Sequence, residues 1–317
     1  MKEIMIETVW NKTQLVAADI CNNNPVTLEG NKTLYDARNI LLKYNISRVV
    51  ILKGKQIKKP AGIVTEKDIV RFLHAEFPKR SLDEIRLDEI ITNQQLITIE
   101  EGTDVGDCAK LMLNNNISSL VIVKANNDNS ILNGIVTKSD LLDAYARSFG
   151  GDVTINEYMT KKVLTVEPDE SVHIVLLIMA DGNVSRVIVV GDNNGKPVGI
   201  ITSHDLLPAS TLLIADKSKP PLSKYQTKGK DIEMNESTGS TAAHTAGLPY
   251  GMKRILLAQD IMKFNPIMVT DYSSLVDAAL IMRGNRISGL PVVDSNDKLV
   301  GIITKTDIIR AMADDRQ

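Results

Sequence analysis

One short pattern, G-[IV]-[IV]-T-x-x-D, occurs four times along this chain of 317 residues. A pattern that recurs in this way is typical of repeat architectures, in which one small structural unit is built several times. It constrains the fold more than any other feature, because the same junction between a strand and a helix must be made at four places. The four copies lie at residues 62–68, 134–140, 199–205 and 301–307.

The sequence that precedes each copy is repeated as well. A serine, a short apolar strand and a turn rich in Asn, Asp and Gly come before each copy, which indicates a β-hairpin. Apolar residues three and four positions apart predict a helix before that hairpin, as at Val105, Cys108, Ala109 and Met112. In the first unit Arg38 interrupts the apolar face. Each unit also has a short strand at its start and a helix at its end. This order of elements predicts a small α/β layer unit.

This order of elements, the strand pattern h-S-x-h-h-V-V (h is an apolar residue) and the final G-h-h-T-x-x-D resemble the CBS domain, named after cystathionine β-synthase. CBS domains pack in pairs called Bateman modules. The resemblance implies an α/β (α+β) fold of four β-α-β-β-α repeats in two modules, as in the γ subunit of AMP-activated protein kinase. We expect an N-terminal segment at 1–13, repeats at 14–80, 81–150, 151–214 and 253–317, and a polar insertion at 215–252.

The insertion at 215–252 is rich in Pro, Gly, Ser, Thr and Lys, and it separates the third repeat from the fourth. One interpretation is a long solvated connection. The other is a segment that binds a partner or gates a cleft, because long insertions in compact proteins are often functional.

Composition narrows the class of protein. The apolar content of 43%, the charged content of 24% and the net charge of −2 are typical of a soluble globular chain and do not favour a nucleic-acid partner. Apolar runs fall short of the roughly 18 residues of a membrane span, and the acidic N-terminus does not resemble a signal peptide. We interpret Cys21 and Cys108 as core residues without a redox role, and this use of cysteine fits a reducing compartment. We therefore expect a cytoplasmic protein without a membrane partner, either a monomer or a homodimer.

The repeated T-x-x-D has two interpretations. A threonine at a helix N-terminus with an aspartate three positions later is a capping box, which stabilises the helix alone. The same helix end also attracts phosphate through its free N–H groups, and the aspartate can accept bonds from the vicinal hydroxyls of ribose. The second interpretation predicts nucleoside phosphate sites at the pairs Thr65 and Asp68, Thr137 and Asp140, Thr202 and Asp205, and Thr304 and Asp307.

The resemblance to CBS domains implies the same ligand class, with threonine at the phosphate, aspartate at the ribose and apolar backbone segments around the base. AMP, ADP and ATP are the leading candidates; S-adenosylmethionine or a cyclic dinucleotide would fit a similar cleft. Met268 replaces the threonine of the other repeats, which puts occupancy of all four sites in question. The further candidate residues are Thr27, Thr98, Thr165, Ile63, Ile135, Ile200 and Ile302.

Two arginines distinguish the repeats. Arg48 and Arg186 follow Ser47 and Ser185 in repeats 1 and 3, whereas repeats 2 and 4 have a serine and a glycine there. The resemblance implies that a basic residue at this position reaches ligand phosphates across the module, and arginine suits phosphate because its planar fork binds two oxygens. The alternative is a solvated side chain at a strand edge. The remaining candidates lie inside the T-x-x-D turns: Lys67, Lys138, His204 and Lys305.

Signs of catalysis are weak. The four histidines are scattered without metal-ligand spacing, and the phosphate loops and nucleophile motifs of common enzymes do not occur. We expect a non-catalytic sensor that acts on a protein partner through a shift between conformations. The competing hypothesis is a scaffold whose T-x-x-D turns only cap helices. A third, a nucleic-acid-binding regulator, has no support in the charge pattern.

Overall fold

The computed structural model describes residues 15–54, 58–75, 79–92, 94–126, 129–148, 153–191, 195–208 and 256–314. The expectations for the N-terminal segment 1–13 and for the insertion at 215–252 concern residues outside these ranges. No helix within the described ranges is long and apolar enough to cross a membrane.

Each repeat contains the predicted strand, helix, strand, strand and helix, preceded by one additional short helix. Repeat 1 consists of α1 (Ala17–Ile20), β1 (Thr27–Glu29), α2 (Leu34–Tyr44), β2 (Arg48–Leu52), β3 (Pro60–Thr65) and α3 (Glu66–Ala75). Repeat 2 consists of α4 (Leu87–Ile91), β4 (Thr98–Ile99), α5 (Val105–Asn114), β5 (Ser119–Asn126), β6 (Asn129–Thr137) and α6 (Lys138–Ser148).

The second half of the chain repeats this order. Repeat 3 consists of α7 (Ile155–Tyr158), β7 (Thr165–Val166), α8 (Val172–Asp181), β8 (Arg186–Val190), β9 (Pro197–Thr202) and α9 (203–208). Repeat 4 consists of α10 (Ala258–Ile261), β10 (Lys263–Phe264), β11 (Val269–Thr270), α11 (Leu275–Gly284), β12 (Gly289–Val293), β13 (Leu299–Thr304) and α12 (Lys305–Asp314). The predicted order of elements is confirmed, and the helices α1, α4, α7 and α10 are additional to it.

The register of each sheet brings the candidate residues together. In every repeat the first strand runs parallel to the second, and the second and third form an antiparallel hairpin. The hairpin pairs the residue after the repeated serine with the threonine of T-x-x-D. The four pairs are Arg48 with Thr65, Ser119 with Thr137, Arg186 with Thr202, and Gly289 with Thr304.

The additional short helices are exchanged between neighbouring repeats. We call the residues 16–24, 86–92, 154–162 and 257–265 the leading segments. The leading segment of repeat 1 bridges to repeat 2 at Asn22 and Ile135, and that of repeat 2 bridges back at Arg86 and Thr33. Repeats 3 and 4 exchange theirs in the same way, through Thr160 with Ile302 and through β10 with β9. Repeats 1 and 2 therefore form one module, and repeats 3 and 4 form the other.

The glycine that opens each G-h-h-T-x-x-D makes room for the exchanged segment. A methyl group at Gly62 would lie 2.5 Å from Cγ2 of Ile91, and one at Gly301 would lie 2.6 Å from Sδ of Met159. Met262 covers Gly199 equally closely. Gly134 is less crowded, because the side chain beside it is the smaller Cys21. A methyl group at Gly134 would lie 3.4 Å from Sγ of Cys21, an ordinary contact distance. The glycine is thus explained by close packing between repeats.

The two modules meet through their helices, with repeat 1 facing repeat 3 and repeat 2 facing repeat 4. One buried apolar cluster combines helices of repeats 2 and 4, and includes Met112, Leu141, Met282 and Met312. A second cluster combines repeats 1 and 3, and a third small one joins the sheets of repeats 1 and 2 around Val50. Each of the two larger clusters contains side chains of both modules, and their burial stabilises the contact by about 25 cal/mol per Å² of apolar surface.

Arg38, which interrupts the apolar face of α2, is buried at the contact between repeats 1 and 3. It is 8% exposed, and its Nε donates to the carbonyl oxygen of Leu207 at 2.7 Å. A buried guanidinium needs such acceptors, because an unpaired one would be strongly unfavourable. The residue that breaks the amphipathic pattern is therefore a polar link between the modules.

We expect Gly62→Ala to lower the free energy of unfolding by about 1–3 kcal/mol, because the new methyl group overlaps the branched side chain of Ile91. Gly102→Ala is the matched control, since no atom lies within 4 Å of a methyl group there. Urea denaturation of both variants measures the difference. Equal stabilities of the two variants would contradict the packing explanation.

Candidate functional site

All four T-x-x-D turns are helix caps. In repeat 1 the carboxylate Oδ2 of Asp68 accepts from the backbone N–H of Thr65 at 2.8 Å and from its hydroxyl at 2.7 Å. The same two bonds occur at Thr137 with Asp140, Thr202 with Asp205, and Thr304 with Asp307. One carboxylate oxygen thus stabilises the helix start, and the other, Oδ1, points away from the cap.

The repeated serines fix where these helices begin. The carbonyl oxygen of Ser47 accepts from the N–H of Glu66 at 3.2 Å, and that of Ser185 accepts from Ser203 at 2.9 Å. The same bond joins Ser118 to Lys138 and Ser288 to Lys305. The start of each hairpin and the start of the following helix are therefore held together at one end of every sheet.

Arg48 and Arg186 cross from one repeat of a module to the other. The guanidinium of Arg48 donates to the carbonyl oxygen of Ser118 in repeat 2. That of Arg186 donates to Ser288 Oγ in repeat 4 at 2.9 Å. A methyl group at Gly289 would collide with Arg186, so the small residue in repeat 4 leaves room for the arginine of repeat 3. Burial lowers the pKa of both arginines to about 10, although nearby carboxylates act in the opposite direction.

Two lysines cross between the modules. Lys138 Nζ lies 2.9 Å from Oγ1 of Thr306, and Lys305 Nζ lies 2.7 Å from Oγ of Ser139. Burial, together with the charges of Arg48 and Arg186, lowers the pKa of each lysine to about 8. The arginines of repeats 1 and 3 therefore lie close enough to the lysines of repeats 2 and 4 to disfavour their charged form.

The corresponding contact between repeats 1 and 3 has a different chemistry. Glu66 Oε1 lies 2.7 Å from Nδ1 of His204. Burial raises the pKa of the Glu66 carboxyl, and the bond to His204 and the charge of Arg48 oppose that rise. This acid is the main counter-charge on the repeat 1 side of the cation cluster, which we define as Arg48, Arg186, Lys138 and Lys305.

The remaining candidate residues lie around these turns, on the strands. Thr27, Thr98 and Thr165 start the first strands β1, β4 and β7. Ile135 is buried in the contact between the sheets of repeats 1 and 2, with Ile63 packed against it. Ile200 and Ile302 each lie two residues before the threonine of the same strand, on β9 and β13.

Glu66 belongs to the candidate site, although it occupies a position that the repeated motif leaves variable. It occupies the first variable position of T-x-x-D, where the other repeats have Lys138, Ser203 and Lys305. A comparison of the four copies at that position alone would have shown one acid among two lysines and a serine. The variable positions of the repeated motif thus supply several of the charged residues of the candidate site.

Fold and site together define a protein built from four CBS repeats. The chain belongs to the CBS domain family, whose model matches residues 16–75, 87–147, 155–211 and 258–314. The uncharacterized protein MJ1225 of Methanocaldococcus jannaschii is 26% identical over 303 residues, which cover 92% of this chain and 96% of that protein. A second protein of that organism, MJ1404, is 25% identical over 93% of this chain, which spans 61% of its length.

The crystal structure of MJ1225, described as a proposed archaeal homologue of γ-AMPK, superposes with a TM-score of 0.73 at 24% identity, covering 94% of this chain and all of that one. This likeness concerns the fold. Among more distant CBS pairs, CBSX2 of Arabidopsis thaliana has been crystallised with AMP; it covers 52% of this chain and 98% of its own, with 26% identity and a TM-score of 0.36.

We expect Asp68→Ala to lower the free energy of unfolding by about 1 kcal/mol, because the N–H and hydroxyl of Thr65 lose their acceptor. Asp68→Asn should cost less, since its amide oxygen can accept the same bonds. Asp277→Ala is the control: it stands at the same helical position of α11, where the cap bonds are made by Ser274 instead. Thermal denaturation compares the three variants, and a cost at Asp277 as large as that at Asp68 would refute the capping role.

Proposed function

We propose that this chain is a non-catalytic regulatory protein of the cytoplasm that binds adenosine-containing ligands, foremost AMP, ADP and ATP, in the clefts between paired repeats. A ligand that binds one arrangement of the repeats more tightly shifts the population toward it, and the changed surface then acts on a protein partner. The observation that carries the proposal is the cation cluster at the four T-x-x-D turns.

Phosphate is the ligand group that this cluster fits best. Arg48 and Arg186 lower the pKa of both lysines, so the free protein holds like charges close together. A phosphate group would neutralise them and accept hydrogen bonds from arginines whose forks match its oxygens. Because the arginines come from repeats 1 and 3 and the lysines from repeats 2 and 4, such an anion would contact both modules.

The aspartates supply the second part of the recognition. Each carboxylate uses Oδ2 for the cap, so a hydroxyl donor would bind at the other oxygen, Oδ1. The vicinal hydroxyls of ribose are donors of the required kind, beside a helix start that attracts phosphate. A nucleoside phosphate satisfies both features, whereas S-adenosylmethionine has no phosphate for the cluster.

The competing function is a scaffold without a ligand. It is favoured by the cap bonds at all four turns, which explain the threonine and the aspartate through helix stability alone. A scaffold does not explain why four cations are collected at the same place. Ligand binding therefore decides between the two.

The first test is calorimetric titration of the ligand-free protein with adenosine, AMP, ADP, ATP and S-adenosylmethionine. We expect at least one adenine nucleotide to bind tenfold or more tightly than adenosine, because the cations recognise phosphate. Substituting both arginines, Arg48→Met with Arg186→Met, should remove that preference. Arg80→Met, an exposed arginine paired with Glu89, is the control. Absence of binding by every compound would favour the scaffold.

Binding should also depend on pH. Lys138 and Lys305, with pKa values of about 8 in the free protein, become more basic beside a bound phosphate and take up protons near pH 8. The affinity for ADP should therefore fall as the pH rises through 8, after phosphate itself is fully ionised.

Titration with ADP at pH 8 in Tris and in HEPES, which differ in heat of ionisation, measures this uptake. Lys138→Met with Lys305→Met should abolish the difference between the two buffers, whereas the exposed Lys124→Met should keep it. Identical heats in both buffers for the unmodified protein would show that the lysines do not face the ligand.

A further inference from the structure

The four aspartates of the repeated motif differ at their outer oxygen, Oδ1. Asp307 Oδ1 accepts from Arg310 at 2.9 Å, Asp205 Oδ1 lies 3.2 Å from Lys263 Nζ, and Asp68 Oδ1 lies 3.6 Å from Arg71. Of these four aspartates, only Asp140 has an Oδ1 without a hydrogen-bond or ion-pair partner among the residues that the structure describes. The cap bonds at Oδ2 are the same in all four, so this difference is independent of helix capping.

A free Oδ1 matters because it is the atom that ribose would use. At three turns a hydroxyl must first displace a cation of the chain, and at Asp307 it must also reach a carboxylate that is only 2% exposed. Lys263 and Arg71 are themselves largely exposed, so each competes by a modest amount, as surface ion pairs do. At Asp140 no such exchange is needed.

The leading segments beside repeats 2, 3 and 4 differ in charge in the same sense. Beside β6 of repeat 2 it is Asn22, Asn23 and Asn24, which carry no charge. Beside β9 of repeat 3 it brings Lys263, and beside β13 of repeat 4 it brings Lys161 and Lys162 after the bridging Thr160. The carboxylate of Asp140 is thus accompanied by neutral amides that can hydrogen-bond to a base or a sugar without competing for the acid.

The surroundings of Asp140 also provide a cation for an anionic group. Arg48 reaches the carbonyl oxygen of Ser118, at the start of the same hairpin, and its charge acts on Asp140.

We propose that the cleft at Asp140 is the primary nucleoside site of the chain, and that Arg71, Lys263 and Arg310 act as internal competitors at the other three. This rests on the proposed function and specifies where it operates. At low concentration one nucleotide binds per chain, with its ribose hydroxyls on Asp140 Oδ1. The remaining clefts fill only at higher concentration, after their cations move away from the carboxylates.

The experiment is calorimetric titration of the whole chain with ADP, using asparagine variants that keep the cap acceptor. Asp140→Asn should weaken the first binding event at least tenfold, because a neutral amide oxygen is a poorer acceptor for a diol than a carboxylate. Asp205→Asn, the matched control at the equivalent position of repeat 3, should change it by less than threefold. Thermal denaturation verifies that both variants are folded.

A second variant tests the competitors directly. Lys263→Met, introduced into the Asp140→Asn protein, frees Asp205 and should tighten the residual binding of ADP by about threefold to tenfold, as expected for the loss of a surface ion pair. Adding Asp205→Asn to that double variant should cancel the gain. Absence of a gain would overturn the role of Lys263 as a competitor.

The outcomes separate the two proposals. Equal loss of affinity in Asp140→Asn and Asp205→Asn, or a greater loss in Asp205→Asn, would overturn the assignment of the primary site while leaving nucleotide binding intact. A protein that binds no ADP, AMP or ATP in any form would overturn both. Selective loss in Asp140→Asn supports both.

Discussion

The pairing of repeats depends on a steric contact between a glycine of one repeat and a larger side chain from the other. Ile91, Met159 and Met262 each lie over a glycine at the centre of a partner strand. A leading segment that returned to its own repeat would leave that groove open and its own apolar residue exposed. Because the exchange is reciprocal within each module, it selects repeat 1 with 2 and repeat 3 with 4 independently of the helix contacts between modules.

Once the pairs exist, backbone geometry brings the site together. The hairpin register sets the residue after the serine opposite the threonine, and the serine carbonyl holds the start of the helix. Helix packing then brings two modules into contact at these same ends. The cations are therefore gathered by the backbone, and their mutual repulsion is a cost that the apolar contacts between modules must offset. Such a cost is typical of a site that binds an anion.

Much of the fold could be predicted from the sequence, because four copies of one pattern average out the ambiguity of any single copy. The order of elements follows from the apolar spacing and from the turn residues. The short helices α1, α4, α7 and α10 were not predictable in this way, since four or five residues give no periodicity. Among site residues, the T-x-x-D pairs and the two arginines stand out in sequence. The partners of Asp205 and Asp68 do not, because Lys263 comes from a distant exchanged segment and Arg71 looks like an ordinary surface residue.

The pair of Glu66 and His204 has a consequence for symmetry. Two identical subunits around a two-fold axis present the same residue at equivalent positions. An acid at the first variable position of the motif would therefore face a second acid, or each of the two acids would need its own histidine. This chain has Glu66 in repeat 1 but Ser203 at the equivalent position of repeat 3, and His204 where repeat 1 has Lys67. Covalent linkage of the two modules frees each half to change alone. A single pair of an acid and a histidine can then join repeats 1 and 3, which a symmetric assembly of identical modules could not build.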